Sequence, residues 1–109
     1  MESNMVKMED NKPKWSELNV KTVKDFFYKN LPEYILEHTN TYGPYWNIMF
    51  SKKDIRIEIR GDIGFNVKIW IAEDPYDLWQ YDRRVVDKTE TSNENILYQL
   101  NVLKRFLLD

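Results

Sequence analysis

The chain has 109 residues and a mass of 13.3 kDa, the size of one small domain. It contains no cysteine, so disulfide frameworks, cysteine-ligated metal sites and thiol nucleophiles are excluded. Its 16 basic and 18 acidic residues are interspersed and give a formal charge of −2, which argues against binding to a nucleic-acid backbone.

Residues 1–14 carry interspersed charge without apolar periodicity, and we interpret them as a flexible segment. A single domain is expected to follow at residues 15–109. The first segment lacks the continuous apolar run of a secretory signal. No stretch reaches the ~20 apolar residues of a membrane helix, so we expect a cytoplasmic protein that does not bind membranes.

The next segment is predicted to be helical. Pro32 is acceptable in the first turn of a helix, so a first helix over residues 20–30 is expected to restart there and end near His38. His38 is the only histidine, and a cation is favoured at that end of a helix, so we expect it to stabilise the helix end. Four apolar residues at helical spacing support the first helix: Val20, Val23, Phe27 and Leu31.

Three runs of alternating residues predict three consecutive strands. The first run spans residues 45–50, and the other two lie on either side of Gly61-Asp62-Ile63-Gly64. Short connections between the runs predict an antiparallel meander with one apolar and one polar face. The two glycines permit the positive φ angles that a tight turn usually needs. The apolar residues of the last two runs are Ile55, Ile57, Ile59, Phe65, Val67, Ile69 and Ile71.

Residues 72–90 give two competing signals. Asp74-Pro75 followed by Asp77 is typical of the start of a short helix. Tyr76, Leu78 and residues 83–86 could instead form a fourth strand, and we favour the strand.

A C-terminal helix is predicted after residue 90. Thr91-Ser92-Asn93-Glu94 fits a capping box, and an apolar stripe follows at Ile96, Leu100, Leu103 and Leu107. The sequence therefore predicts an α+β fold. A three- or four-stranded antiparallel sheet would pack one face against the N-terminal helical region and the C-terminal helix.

Aromatic residues among charges indicate a protein interface. Trp70 lies on the polar side of its strand, and Trp79 and Tyr81 lie among acidic residues. Aromatic anchors bordered by charge are typical of interface hot spots. We predict an interface with another protein, with a homodimer left open, formed by Arg56, Glu58, Arg60, Lys68, Trp70, Trp79, Tyr81 and Asp82.

The alternative is a small enzyme or ligand-binding domain. It would use carboxylates near Asp62 and in the segment Glu73–Asp82, because paired carboxylates can transfer protons when a partly dry pocket holds them at a fixed separation. No glycine-rich phosphate-binding motif is present, so no nucleotide cofactor is expected. We expect no catalytic residue, metal ligand or cofactor in the first interpretation.

The segment from Ile55 to Leu78 contains predicted strands and short motifs in a characteristic order. An alternating strand leads into Arg60-Gly61-Asp62-Ile63-Gly64, and a second strand leads into Pro75-Tyr76-Asp77-Leu78. This order resembles small uncharacterised bacterial proteins of the toxin-immunity type, some of which place an Asp-x-Gly turn between strands and a Tyr-Asp-Leu-like element after them. The resemblance implies a non-catalytic inhibitor of one secreted toxin domain.

Overall fold

The computed structural model describes residues 15–42, 44–61 and 64–108, so the flexible segment predicted at residues 1–14 lies outside the described residues. The predicted α+β fold is confirmed, with one antiparallel sheet of five strands in chain order. None of the helices in these ranges is long and apolar enough to cross a membrane. The elements are α1 (Trp15–Asn30), β1 (Ile35–Tyr42), β2 (Tyr45–Lys52), β3 (Ile55–Gly61), β4 (Phe65–Ile71), β5 (Asp74–Asp77), α2 (Leu78–Tyr81), a 3₁₀-helix (Arg83–Asp87) and α3 (Asn93–Leu108).

The core lies between one face of the sheet and the two long helices. Ile57 pairs with Ile69 across β3 and β4, and both are fully buried, as the alternation predicts. From α1, the Phe27 ring stacks on the Phe50 ring of β2 with centroids 3.7 Å apart. The helices contribute further buried residues to this cluster: Val20, Val23, Phe26, Ile96, Leu100, Val102 and Leu103.

A strand replaces the second half of the predicted N-terminal helical region. Helix α1 begins at Trp15 and ends at Asn30, and residues 35–42 then pair with β2. The prediction of a helix to His38 is therefore wrong, as is the helix-capping role given to that histidine. Thr39, Thr41 and Tyr42 are residue types that favour a strand, and residues 35–42 pair with β2.

Glycine is required at position 61 because the Trp46 side chain packs closely against the backbone there. A Cβ atom built on Gly61 would overlap the Trp46 indole and lie 2.6 Å from its Nε1. Trp46 is only 3% exposed, and its ring also lies 5.9 Å from that of Phe65. Neither Gly61 nor Gly64 has φ in the left-handed region, so the predicted reason for these glycines is wrong.

Residues 72–90 contain both a strand and a helix. Strand β5 has four residues, and Asp77 at its end precedes helix α2. The backbone N–H of Asp77 donates to Gln80 Oε1 at 2.7 Å, so the helix cap lies at Asp77 and not at Asp74. Residues 83–87 form a 3₁₀-helix instead of the predicted strand.

The cap of helix α3 lies one residue later than the predicted capping box. The Ser92 hydroxyl accepts from the Asn95 backbone N–H at 3.1 Å. Further along α3, Gln99 is 1% exposed and donates from Nε2 to the carbonyl oxygens of Phe65 and Lys88, at 3.3 and 2.7 Å. The Gln99 amide thereby connects α3 to β4 and to the segment after the 3₁₀-helix.

Candidate functional site

The sheet face opposite the long helices carries exposed and half-buried side chains, and we call it the open face. Two-residue alternation along β1 to β4 places these side chains together, because the register aligns them across the strands. They are His38, Asn40, Tyr42, Tyr45, Asn47, Met49, Ser51, Arg56, Glu58, Arg60, Asn66, Lys68 and Trp70.

Arg56 and Trp70 form a cation–π pair on the open face. They lie directly opposite each other on β3 and β4, and the Arg56 guanidinium carbon is 5.2 Å from the centroid of the Trp70 ring. Such contacts are attractive because the cation interacts with the negative face of the ring. Trp70 is half-buried beside an exposed Arg56, so guanidinium donors and an aromatic surface are presented side by side.

The accessible charge of the open face is positive. Glu58 accepts a hydrogen bond from Asn47 Nδ2 at 2.9 Å, and its carboxylate lies 3.8 Å from Arg60 Nε. The Glu58 side chain is 17% exposed, against 62% for Arg60. Lys68 is opposite Glu58 in the register, yet its ammonium lies 3.3 Å from the Asp77 carboxylate. The acids are thus partly covered while arginine side chains project into solvent.

A concave region of about 620 Å³ lies at the end of the open face, beside the turn between β1 and β2. Amide groups from Asn40, Asn47 and Asn66 contribute to its lining, together with Tyr42 and Tyr45. Among the described lining residues Glu58 is the one carboxylate, so these residues supply no carboxylate pair for acid–base chemistry.

Two residues of the predicted interface, Tyr81 and Asp82, contact helix α3, and a third, Trp79, borders a cleft that Asn66 also lines. The Tyr81 ring meets Phe106 of α3 with centroids 5.4 Å apart, and the Asp82 carboxylate lies 3.4 Å from Arg105 of the same helix. Trp79 is 50% exposed and borders a smaller cleft of about 230 Å³ beside β4. The structure therefore brings together Arg56, Glu58, Arg60, Lys68 and Trp70, whereas Tyr81 and Asp82 lie against α3.

Sequence reasoning missed the contribution of β1 to the open face. Asn40 and Tyr42 face the same side as Asn47 and Tyr45 of β2, in a segment where the sequence predicts no strand. The signal that could have found them is the pair of threonines, Thr39 and Thr41, at strand spacing just before the turn.

Two acidic residues of the alternative interpretation, Asp77 and Asp82, do not form a carboxylate pair. Asp77 pairs with Lys68, whereas Asp82 pairs with Arg84 and Arg105, so the two carboxylates have different cationic partners. Across residues 15–42, 44–61 and 64–108 no group of three or more histidines and acids could hold a metal ion. Asp62 lies outside the described residues.

Asp82 should contribute to stability in a pH-dependent way. Hydrogen bonds from the Arg84 side chain lower the pKa of Asp82 from 3.8 to about 2, and Arg105 adds to the effect. Because the folded-state pKa is depressed, this contribution is present above the ordinary pKa and is lost as the pH falls toward about 2. The melting-temperature difference between wild type and Asp82→Asn should therefore shrink between about pH 4 and pH 2. A melting-temperature difference that stays constant across that range would contradict the lowered pKa of Asp82.

The fold and the open face define a small α+β protein with one polar, arginine-bearing sheet surface. Comparisons with protein-family models, with curated proteins and with solved structures find no match to this chain.

Proposed function

We propose that this protein is a non-catalytic module that binds another protein through its open face. The observation that supports this function is the Arg56–Trp70 pair, with the exposed Arg60 further along β3, on a face whose acids are partly covered. Tryptophan and arginine are the residue types most enriched at interface hot spots. An immunity-type inhibitor of a bacterial toxin is a narrower version of the same proposal.

The charges of the open face favour an acidic partner. Arg56 and Arg60 lie four residues apart on β3, which separates them by about 13 Å along the strand. Carboxylates at a similar spacing on the partner would meet both guanidinium groups, and arginine binds carboxylates in bidentate geometry. The Trp70 ring would supply the apolar contact, and the concave region beside Asn47 could receive a partner side chain.

Trp70→Ala should weaken the complex by about 2 kcal/mol or more, because a central aromatic anchor loses its contact area. The experiment captures binding proteins from the native cell extract on immobilised wild type and on each variant, after circular dichroism confirms folding. A retained protein is then purified and its affinity is measured by calorimetry. Arg60→Glu should also weaken binding, and the wild-type affinity should fall as salt rises.

Tyr28→Ala is the matched control. Tyr28 is 80% exposed on helix α1, so its replacement removes an aromatic side chain from the opposite side of the molecule. The proposal requires a protein that wild type and Tyr28→Ala retain and that Trp70→Ala loses. If folded Trp70→Ala and Arg60→Glu keep every partner at unchanged affinity, the binding surface lies elsewhere.

A further inference from the structure

The two edges of the sheet differ in how well they are protected. Strand β5 has four residues and contains Pro75, which has no backbone N–H, and helix α2 follows it directly. Strand β1 has eight residues, pairs on one side with β2, and contains neither proline nor lysine. Natural proteins use short strands, proline, lysine and β-bulges to block pairing at sheet edges. The register shift of β1 lies before His38, and residues 38–42 contain no proline, lysine or bulge.

The turn between β1 and β2 determines which backbone groups of β1 point outward. Tyr42 pairs with Tyr45 across a two-residue connection. The pair that closes such a turn exchanges both backbone hydrogen bonds, and bonded and non-bonded pairs then alternate along the ladder. The N–H and C=O groups of Tyr42 and Asn40 therefore point toward β2. Those of Thr39 and Thr41 point toward the free edge.

We propose that a second copy of this chain pairs with β1 in antiparallel orientation, with Asn40 at the two-fold axis. The result would be a continuous sheet of ten strands, five from each copy. In this register Thr39 lies opposite Thr41 of the second copy, and the outward N–H and C=O groups of both residues form hydrogen bonds. Asn40 then faces Asn40 of the second copy as a pair without backbone hydrogen bonds.

Side chains and strand geometry favour this register over its neighbours. The strand has a register shift between Leu36 and His38, so the regular part of β1 begins at His38. Centring on Thr39 would bring the irregular Glu37 into the ladder, and centring on Thr41 would shorten the ladder. With Asn40 at the centre, no two like charges lie opposite each other. Each Thr39 lies opposite a Thr41, and such threonine pairs stabilise neighbouring strands.

This dimer would leave the open face uncovered. A two-fold axis perpendicular to the sheet keeps both helix layers on one side, so the two open faces would adjoin on the other. One strand pair buries less than the ~1,200 Å² of a typical stable complex, so we expect an association that depends on protein concentration. The inference does not depend on the proposed function, because a monomer could still bind a partner through Arg56 and Trp70.

The absence of cysteine allows a direct test. A facing pair without backbone hydrogen bonds has its Cα atoms about 4.5 Å apart, within the range that a disulfide spans. Asn40→Cys should therefore form a disulfide-linked dimer on mild oxidation, at least tenfold faster than Asn101→Cys. Asn101 is exposed on α3 and serves as the matched control. Equal rates of cross-linking would overturn the proposed register.

Sedimentation of the wild type gives an independent readout. The proposal expects a mass that rises from 13.3 kDa toward twice that value as the concentration increases. Thr41→Pro removes one outward N–H and should lower the dimer fraction at each concentration. A wild type that stays monomeric up to about 1 mM would overturn the proposal. If Thr41→Pro does not fold, the cysteine comparison and the wild-type mass still decide the question.

Discussion

Replacing Ile57 with alanine should lower the free energy of unfolding by about 2–5 kcal/mol. Ile57 is fully buried at the middle of β3 and faces the equally buried Ile69. The loss combines the transfer energy of the removed carbon atoms with the cost of the cavity that they leave. Urea titration monitored by circular dichroism measures it, and Ile69→Ala should give a loss in the same range.

Asn66→Ala is the control for this pair. Asn66 lies on the open face and is exposed, so its replacement should change the unfolding free energy by no more than about 0.5 kcal/mol. A shift of one residue in strand register would exchange the two faces. If Asn66→Ala proved as costly as Ile57→Ala, the assignment of core and open faces would be reversed.

Gly61→Ala should destabilise the protein by about 1–3 kcal/mol, because the new methyl group must displace a buried indole. The Trp46 ring occupies the space that a Cβ atom at Gly61 would need. Gly64→Ala is a close comparison, because its Cβ would lie 3.5 Å from the Thr89 carbonyl oxygen, an ordinary contact. Thermal and urea unfolding should therefore show that Gly61→Ala is clearly less stable than Gly64→Ala.

A double-mutant cycle tests the cause of the Gly61 effect. Trp46→Leu removes the indole, so adding Gly61→Ala to that variant should cost much less than it costs in the wild type. Additive effects in the cycle would show that backbone conformation, and not the Trp46 ring, makes alanine unfavourable at Gly61. A Gly61→Ala variant as stable as Gly64→Ala would contradict the packing argument itself.

The strands with a strong apolar alternation could be predicted from the sequence, and the edge strand could not. The residues of β3 and β4 alternate between the core and the open face, so their periodicity is visible. Strand β1 is exposed along most of its length, so burial imposes no alternation on it. Tertiary pairing with β2 determines its structure, and single-sequence periodicity does not report such pairing.

The turn between β4 and β5 could not be predicted from the sequence, for a different reason. Ala72 and Glu73 have φ of 52° and 73°, which is the region that Asn-Gly usually occupies in two-residue hairpins. Because the usual residue types are absent, nothing in the sequence marked the turn or the strand after it. Two consecutive non-glycine residues in this region are strained, and the paired strands on both sides must hold them there.

The candidate site was predictable only where one strand pair defines it. Arg56, Glu58 and Arg60 share a face because of the two-residue period alone, and the register adds Lys68 and Trp70. Asp82 also contacts Arg105, a residue 23 positions away on α3. Local spacing cannot report such a contact, so the sequence gives no indication that Asp82 lies against α3.

The chain-order arrangement of the sheet has a consequence for folding kinetics. Every strand pair joins neighbours along the chain, so each hairpin can form before distant segments meet. Helices α1 and α3 come together from opposite ends, and the Thr22 hydroxyl lies 2.8 Å from the Asn93 side chain, 71 residues away. Closing that long loop is entropically the costlier step, so we expect helix docking to be late. Substitutions between the helices should then mainly accelerate unfolding and leave the folding rate nearly unchanged.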